Sequence, residues 1–341
     1  MSLHRIGRRA IVFSAISLLS TLAPASWVQA QSGPIVMKVG TATINDVQHE
    51  WMKRFADFVA KDGEGKIKVE IYPASQLGAI PRMIEGTQFG SIQAFVGPPE
   101  FLSGVDSRYE ILSSPGLFTN LDHANKTLQD PAFNQAFLNI GKSKGLKGIG
   151  LFVNGPSVIN TRQKAHKLAD LQRLKIRVLA SPVQMEQIRK MGATPVPMAL
   201  SEVLPALQQG TIDGVMSVLP VLAAFRYYDA ARYMLETDHS IVSVVSVVNT
   251  EWFDKLTPPL QKVVVDAGQR ASREVYPWAV DFIVKQRALW TANGGEVARL
   301  DPAEQAALLA SLAPIGKEVA SRKANQKALY DVLVDAAQRS R

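Results

Sequence analysis

Short runs of alternating apolar and polar residues recur along this chain, separated by stretches with apolar residues three or four apart. The first pattern is that of half-buried strands, the second that of amphipathic helices. Strands are predicted over 35–39, 67–71, 92–96, 146–153, 176–179, 212–216 and 241–248. Helices are predicted from about 45 to 59 and over 82–88, 133–143, 182–191, 202–209, 219–235 and 259–292, with an Ala-rich helical tail from Pro302. Strands and helices thus take turns, which predicts an α/β fold with a largely parallel sheet.

Local chemistry supports several of these boundaries. Asn45 with Gln48 resembles a capping box, and Trp51, Phe55, Phe58 and Val59 follow at helical spacing. Gly97-Pro98-Pro99 stops the third strand, and Ser181-Pro182 supplies a cap and a first-turn proline. The valine-rich 241–248 suits a strand buried on both faces. Pro277 interrupts the longest helix and is expected to kink it. No internal repeat or long linker divides the chain, so its path is expected to cross between two lobes more than once.

The first thirty residues stand apart. Arg5, Arg8 and Arg9 precede an apolar run from Ala10 to Ala23, and Val28-Gln29-Ala30 has the small-residue pattern of a cleavage site. The run is shorter than the roughly 20 residues that span a bilayer. Residues 1–30 therefore read as a signal peptide rather than a retained anchor, and the Arg8-Arg9 pair also permits twin-arginine export. A bacterial periplasm is the expected destination.

At 341 residues, with 47% hydrophobic and 20% charged residues, the chain has the makings of a globular protein of two lobes. The absence of cysteine excludes disulfides and thiolate metal sites. Net charge is +8, of which three charges belong to the leader arginines, and the rest are dispersed without a basic block. Nucleic acid is therefore not expected as a partner.

Catalytic patterns are scarce. Gly141-Lys142-Ser143-Lys144-Gly145 matches G-x-S-x-G but follows a predicted helix and precedes a strand, the reverse of what a nucleophile needs. Ala136 stands where a phosphate loop requires glycine. The five histidines never fall four apart, and no metal-ligand cluster accompanies them. Binding without chemistry, cofactor or metal is the expectation. From position alone, Arg177 near the end of a strand is either surface charge or a group aimed into a cleft.

Three longer passages carry more: "LQRLKIRVLASP", "MGATPVPMALSEVLPALQQGTIDGV" and "YYDAARYMLETDH", within 171–239. With "IYPASQLG", "MIEGTQFGSIQAFV", "PGLF" and "WFDKLTPPLQ" around them, they resemble the solute-binding proteins of tripartite ATP-independent periplasmic (TRAP) transporters, the family of C4-dicarboxylate and sialic-acid receptors. The resemblance spans roughly 36–290. It implies a two-lobed periplasmic binding protein fold with a ligand cleft between the lobes and a long helix spanning both. Lobe I would hold 31–154 and 243–282, lobe II 155–242 and 283–341. It further implies a monomeric receptor, not an enzyme, that hands a small carboxylate to membrane-embedded permease subunits.

By that resemblance Arg177 falls on the arginine that pairs with the substrate carboxylate. Ser157 falls where a second arginine is often found, Ser217 on an asparagine, Ala42 near another, and Leu200 on an aromatic residue. These departures point to a monocarboxylate with an apolar or aromatic body. Thr41, Thr43, Gln76, Glu100, Asn154, Met216 and His239 are further candidates by position. A receptor for another importer or for a sensor, or an exported enzyme on the same fold, remain the alternatives.

Overall fold

The computed structural model describes residues 33–341, so the signal-peptide reading lies outside the described residues. Nine strands form one sheet: β1 (Ile35–Gly40), β2 (Ile67–Tyr72), β3 (Ala94–Gly97), β4 (Leu146–Thr161), β5 (Lys175–Val178), β6 (Thr194–Pro197), β7 (Gly214–Val218), β8 (Tyr233–Asn249) and β9 (Glu296–Arg299). Their order is β2-β1-β3-β8-β4-β7-β5-β6, with β9 beside β8. The outer pairs β1–β2, β1–β3, β5–β6 and β5–β7 are parallel, whereas β4 runs antiparallel to both β7 and β8.

Two long strands join what are otherwise two half-sheets. β4 and β8 pair from Leu146↔Asn249 at one end to Thr161↔Tyr233 at the other. β3 docks on β8 at 245–248, and β7 docks on β4 at 157–161. Between these docking zones the ladder is broken by register shifts at Val153/Gly155 and Pro156/Val158. Pro156 pairs with Ile241 beside the second of these shifts, the kind of irregular position to which sheets confine proline. On the facing strand Asp238 adopts a left-handed φ of 43°, a conformation an L-residue seldom takes.

The 35-residue helix Pro258–Ala292, about 52 Å long at 1.5 Å per residue, reaches both halves. In one half Trp51 donates to Ser272 at 3.0 Å and stacks between Phe55 and Phe152. A Cβ on Gly268 would lie 2.3 Å from the Ile149 carbonyl oxygen, so this close helix–strand approach requires glycine. In the other half Trp290 is fully buried edge-on to Tyr228. Arg287 near the helix end and Arg299 on β9 both pair with Glu236 on β8.

Several expected boundaries moved. The helix over 219–235 is only Leu219–Ala224 with one turn at Tyr227–Asp229, and Tyr233 already pairs with Thr161. Arg226 at φ 53° ends the helical path, and pairing along β4 outweighs local propensity. The strand expected to end at 153 runs to Thr161 through its bulges. Asp46, not Asn45, caps the first helix, accepting from the His49 N–H at 3.1 Å. The Ala-rich tail forms three helices, and the last, Ala324–Arg339, packs on Leu121–Gln129 and Pro131–Leu138. That contact sets it beside elements grouped with lobe I, although 283–341 was grouped with lobe II.

Candidate functional site

One cavity opens where the carboxyl ends of β1, β3, β5 and β7 face one another across the irregular middle of β4 and β8. Crevices at the carboxyl ends of strands are where α/β sheets place their ligands. About 520 Å³ here is not filled by protein atoms, of which about 40 Å³ is open to the centre of a water molecule. The larger figure includes space open to solvent, so this is a partly open pocket on the scale of a small molecule. Its walls are mostly apolar, with Ile80, Phe95, Pro98 and Phe101 on one side and Leu179, Leu200, Met216 and Val221 on the other.

Among the described residues, Arg177 is the only ionisable side chain in this lining. It sits in β5 between Val196 of β6 and Val215 of β7, and it is 1% exposed. Its Nε donates to the Met198 carbonyl at 3.0 Å, which fixes the plane of the guanidinium. Phe101 lies with its ring centroid 6.0 Å from Cζ. The Nη2 group has no partner, and no carboxylate among the described residues pairs with this cation. Burial pulls the guanidinium down to about 10, so it stays charged at neutral pH. A buried charge without a counter-charge is costly, and an anion in the cavity would offset that cost.

The other polar groups in the wall are mostly occupied. Thr43 donates to Asp46 at 2.8 Å, and Gln48 accepts from Thr41 at 3.1 Å. Gln184 accepts from the Leu179 N–H at 3.0 Å and donates to Ser113 at 3.2 Å. The Ser157 and Ser240 hydroxyls share a bond of 2.9 Å. Ser217 is half-buried beside them. Asn154 differs, being 1% exposed with an Oδ1 that has no partner.

Of the residues singled out from sequence, the structure gathers Arg177, Asn154, Ser157, Ser217, Met216, Leu200 and Thr43 around one cavity, with Ala42. Four others fall elsewhere. Gln76 is exposed on a turn after β2. Thr41 turns to Gln48 and Thr43. Glu100 accepts from Ser113 behind the wall, and His239 is held between Thr237 at 2.7 Å and Gln187 at 3.2 Å. None of these last three lines the cavity; Thr41 and His239 bond within the protein, and Glu100 does so through one carboxylate oxygen while its Oε2 has no partner.

Gln48, Gln184, Phe95 and Phe101 line the cavity and were missed. Gln48 was read only as half of a capping box. Gln184 follows a clear cap at Ser181, and its position in the first turn after a strand end was the available signal. Among the described residues, no helix is long and apolar enough to cross a membrane.

Comparison with known proteins identifies the family and the fold. The family model described as "Bacterial extracellular solute-binding protein, family 7" matches residues 39–323. The 2,3-diketo-L-gulonate-binding periplasmic protein YiaO of Escherichia coli K12 is 30% identical over 227 residues, covering 66% of this chain and 69% of that protein. A TRAP periplasmic solute-binding protein from Desulfovibrio salexigens, solved with orotic acid, superposes with a TM-score of 0.84 at 24% identity, over 90% of this chain and 99% of that one. Another from Polaromonas sp. JS666, bound to D-erythronate, gives a TM-score of 0.81 at 25% identity over 89% and 98% of the two chains. The fold shared with these structures is that of two-lobed periplasmic binding proteins.

Proposed function

Because this chain belongs to the bacterial extracellular solute-binding proteins of family 7, we propose that it is a periplasmic receptor that captures an organic monocarboxylate with a largely apolar body for a TRAP permease. The observation that carries the ligand class is the single cation in the cavity. A second carboxylate would be buried against Phe95, Leu179 or Val242 with no partner, at a cost of several kcal/mol. Both 2,3-diketo-L-gulonate and D-erythronate, named for the two relatives above, carry one carboxylate. The apolar walls here argue for fewer polar groups on the remainder of the ligand.

The two lobes would hold 34–154 with 243–282 on one side and 155–242 with 283–323 on the other, and the terminal helix would belong with the first. Closure over the ligand would occur about the broken ladder at 153–158 and 236–242. A thermal-melt screen of the purified protein against short, branched, hydroxy, keto and aromatic acids tests the reading. Monocarboxylates should raise the melting temperature in a concentration-dependent way and be recovered unchanged. Stronger stabilisation by succinate or malate than by any monoacid would contradict it.

A further inference from the structure

Besides the strands that join them, the two lobes of the reading above meet along a polar seam. Four hydrogen bonds tie residues 103–116 to residues 180–239. Ser103 donates to the Ala180 carbonyl at 2.9 Å, and the Gly116 N–H donates to the His239 carbonyl at 2.9 Å. Gln184 donates to the Ser113 hydroxyl at 3.2 Å, and Gln187 donates to the Ser113 carbonyl at 2.6 Å. Ser103, Ser113 and Gly116 fall in 34–154, whereas all four of their partners fall in 155–242.

The backbone of β8 supplies part of this seam. Pro156 pairs with Ile241 and Val158 with Glu236, so Ser157 alone stands opposite four residues, Thr237 to Ser240. A bulge re-aims the residues it carries. Here the ring of His239 bonds Thr237 and Gln187, while its carbonyl accepts from Gly116. The crossing strand thus grips both sides of the seam where its own ladder is broken.

We propose that this seam is a latch, which holds the lobes together over the cavity without help from the solute. The proposal rests on the two-lobed receptor reading above but not on the class of solute. Ser113, Gln184, Gln187 and His239 are buried in the arrangement that leaves Arg177 1% exposed. Parting apolar surfaces would expose them to water at a large cost. Polar groups instead exchange a protein partner for water, which shifts the balance by only about two- to tenfold per bond. Such a seam fastens and can be unfastened. None of its four bonds uses the Arg177 guanidinium, so it favours the covered arrangement even in the empty receptor. It also slows escape of a bound solute, because its bonds part before the lobes do.

The test is small-angle scattering from the ligand-free protein, well below its melting temperature. Gln187→Leu removes one crossing bond and the partner of His239. Ser103→Ala removes another at a half-buried position and guards against a folding defect. Each variant should have a larger radius of gyration than the wild type, and the double variant the largest. Dissociation of the monocarboxylate that most stabilises the wild type in the melt screen should quicken by about two- to tenfold per bond removed. A purely structural role lowers the melting temperature and leaves the radius as it was. A double variant with the wild-type radius marks the seam as a fixed pivot and overturns the proposal. Failure of every monocarboxylate to bind would overturn the carboxylate reading instead, and the scattering result would still decide for or against the latch.

Discussion

Two buried polar clusters lie close together in this molecule, and they differ in one respect. Around the cavity, Arg177 and Asn154 each keep an atom without a protein partner. Behind its wall, Ser113 bonds through its hydroxyl to Glu100 and Gln184, its carbonyl accepts from Gln187 at 2.6 Å, and Gln187 in turn meets His239. Both clusters are buried and contain ionisable groups. The second pairs most of its polar atoms within the protein, with Oε2 of Glu100 left over, whereas the first leaves an atom unpaired on each of two residues of the cavity wall. Burial therefore does not mark the site here; unpaired polar groups on residues that line a cavity do.

The sharpest way to break this contrast is at Arg177. Arg177→Met should raise the ligand dissociation constant by about 10²–10³-fold, the scale of breaking a buried ion pair. The same change should raise the melting temperature of the ligand-free protein, because it removes a buried cation that, among the described residues, no carboxylate pairs with directly and Glu202 supports only from a distance. Calorimetry and a melt on one preparation read both effects. A variant that binds as well as the wild type would contradict the assignment.

The second cluster should answer to pH instead. Burial pushes Glu100 up to about 7, with Glu110 adding to the rise, and pulls His239 down to about 4. The folded chain thus holds a proton on Glu100 that the unfolded chain has lost, so this group's contribution to stability falls as pH rises from 4.5 through 7. His239 acts in the opposite sense, its contribution falling as pH drops below 6.5 toward 4. Glu100→Gln isolates the first effect. Its stability relative to wild type should grow between pH 5 and pH 8 by roughly 2–3 kcal/mol, at about 1.4 kcal/mol per pH unit. A difference that stays flat across that range would show that Glu100 titrates normally.

A smaller effect is expected at Gln187, whose amide bonds both Ser113 and His239. Gln187→Leu should destabilise the protein by about 1–3 kcal/mol, because two buried groups lose a partner. Ligand affinity should change less than in Arg177→Met, since Gln187 does not line the cavity. Melts and titrations on the variant measure the two quantities separately. An affinity loss as large as that of Arg177→Met would erase the distinction between the clusters.

Arg177 was legible from sequence because its strand, cap and surrounding motif together defined its place. The α/β alternation and the long helix were legible for the same reason, since their periodicities are local. What the sequence concealed was pairing over distance. The strand predicted to end at Val153 continues to Thr161 through register shifts on either side of Gly155 and Pro156. Residues 225–235 carry helix-like apolar spacing, yet the edge of β4 takes 233–235 as strand. Glu100, His239 and Asn154 look equally available along the chain; only the fold shows that Ser113 and Gln187 occupy the first two and that nothing occupies the third.

The central claim is that the open guanidinium of Arg177 holds the ligand by a single carboxylate. It is tested most directly from the ligand's side, by titrating the wild-type protein with its tightest monocarboxylate and with the primary amide of the same acid. The amide keeps the shape and loses the charge, so it should bind at least about 100-fold more weakly, as the loss of a charge-assisted pair in a buried site requires. An amide that binds within threefold of the acid would contradict the account.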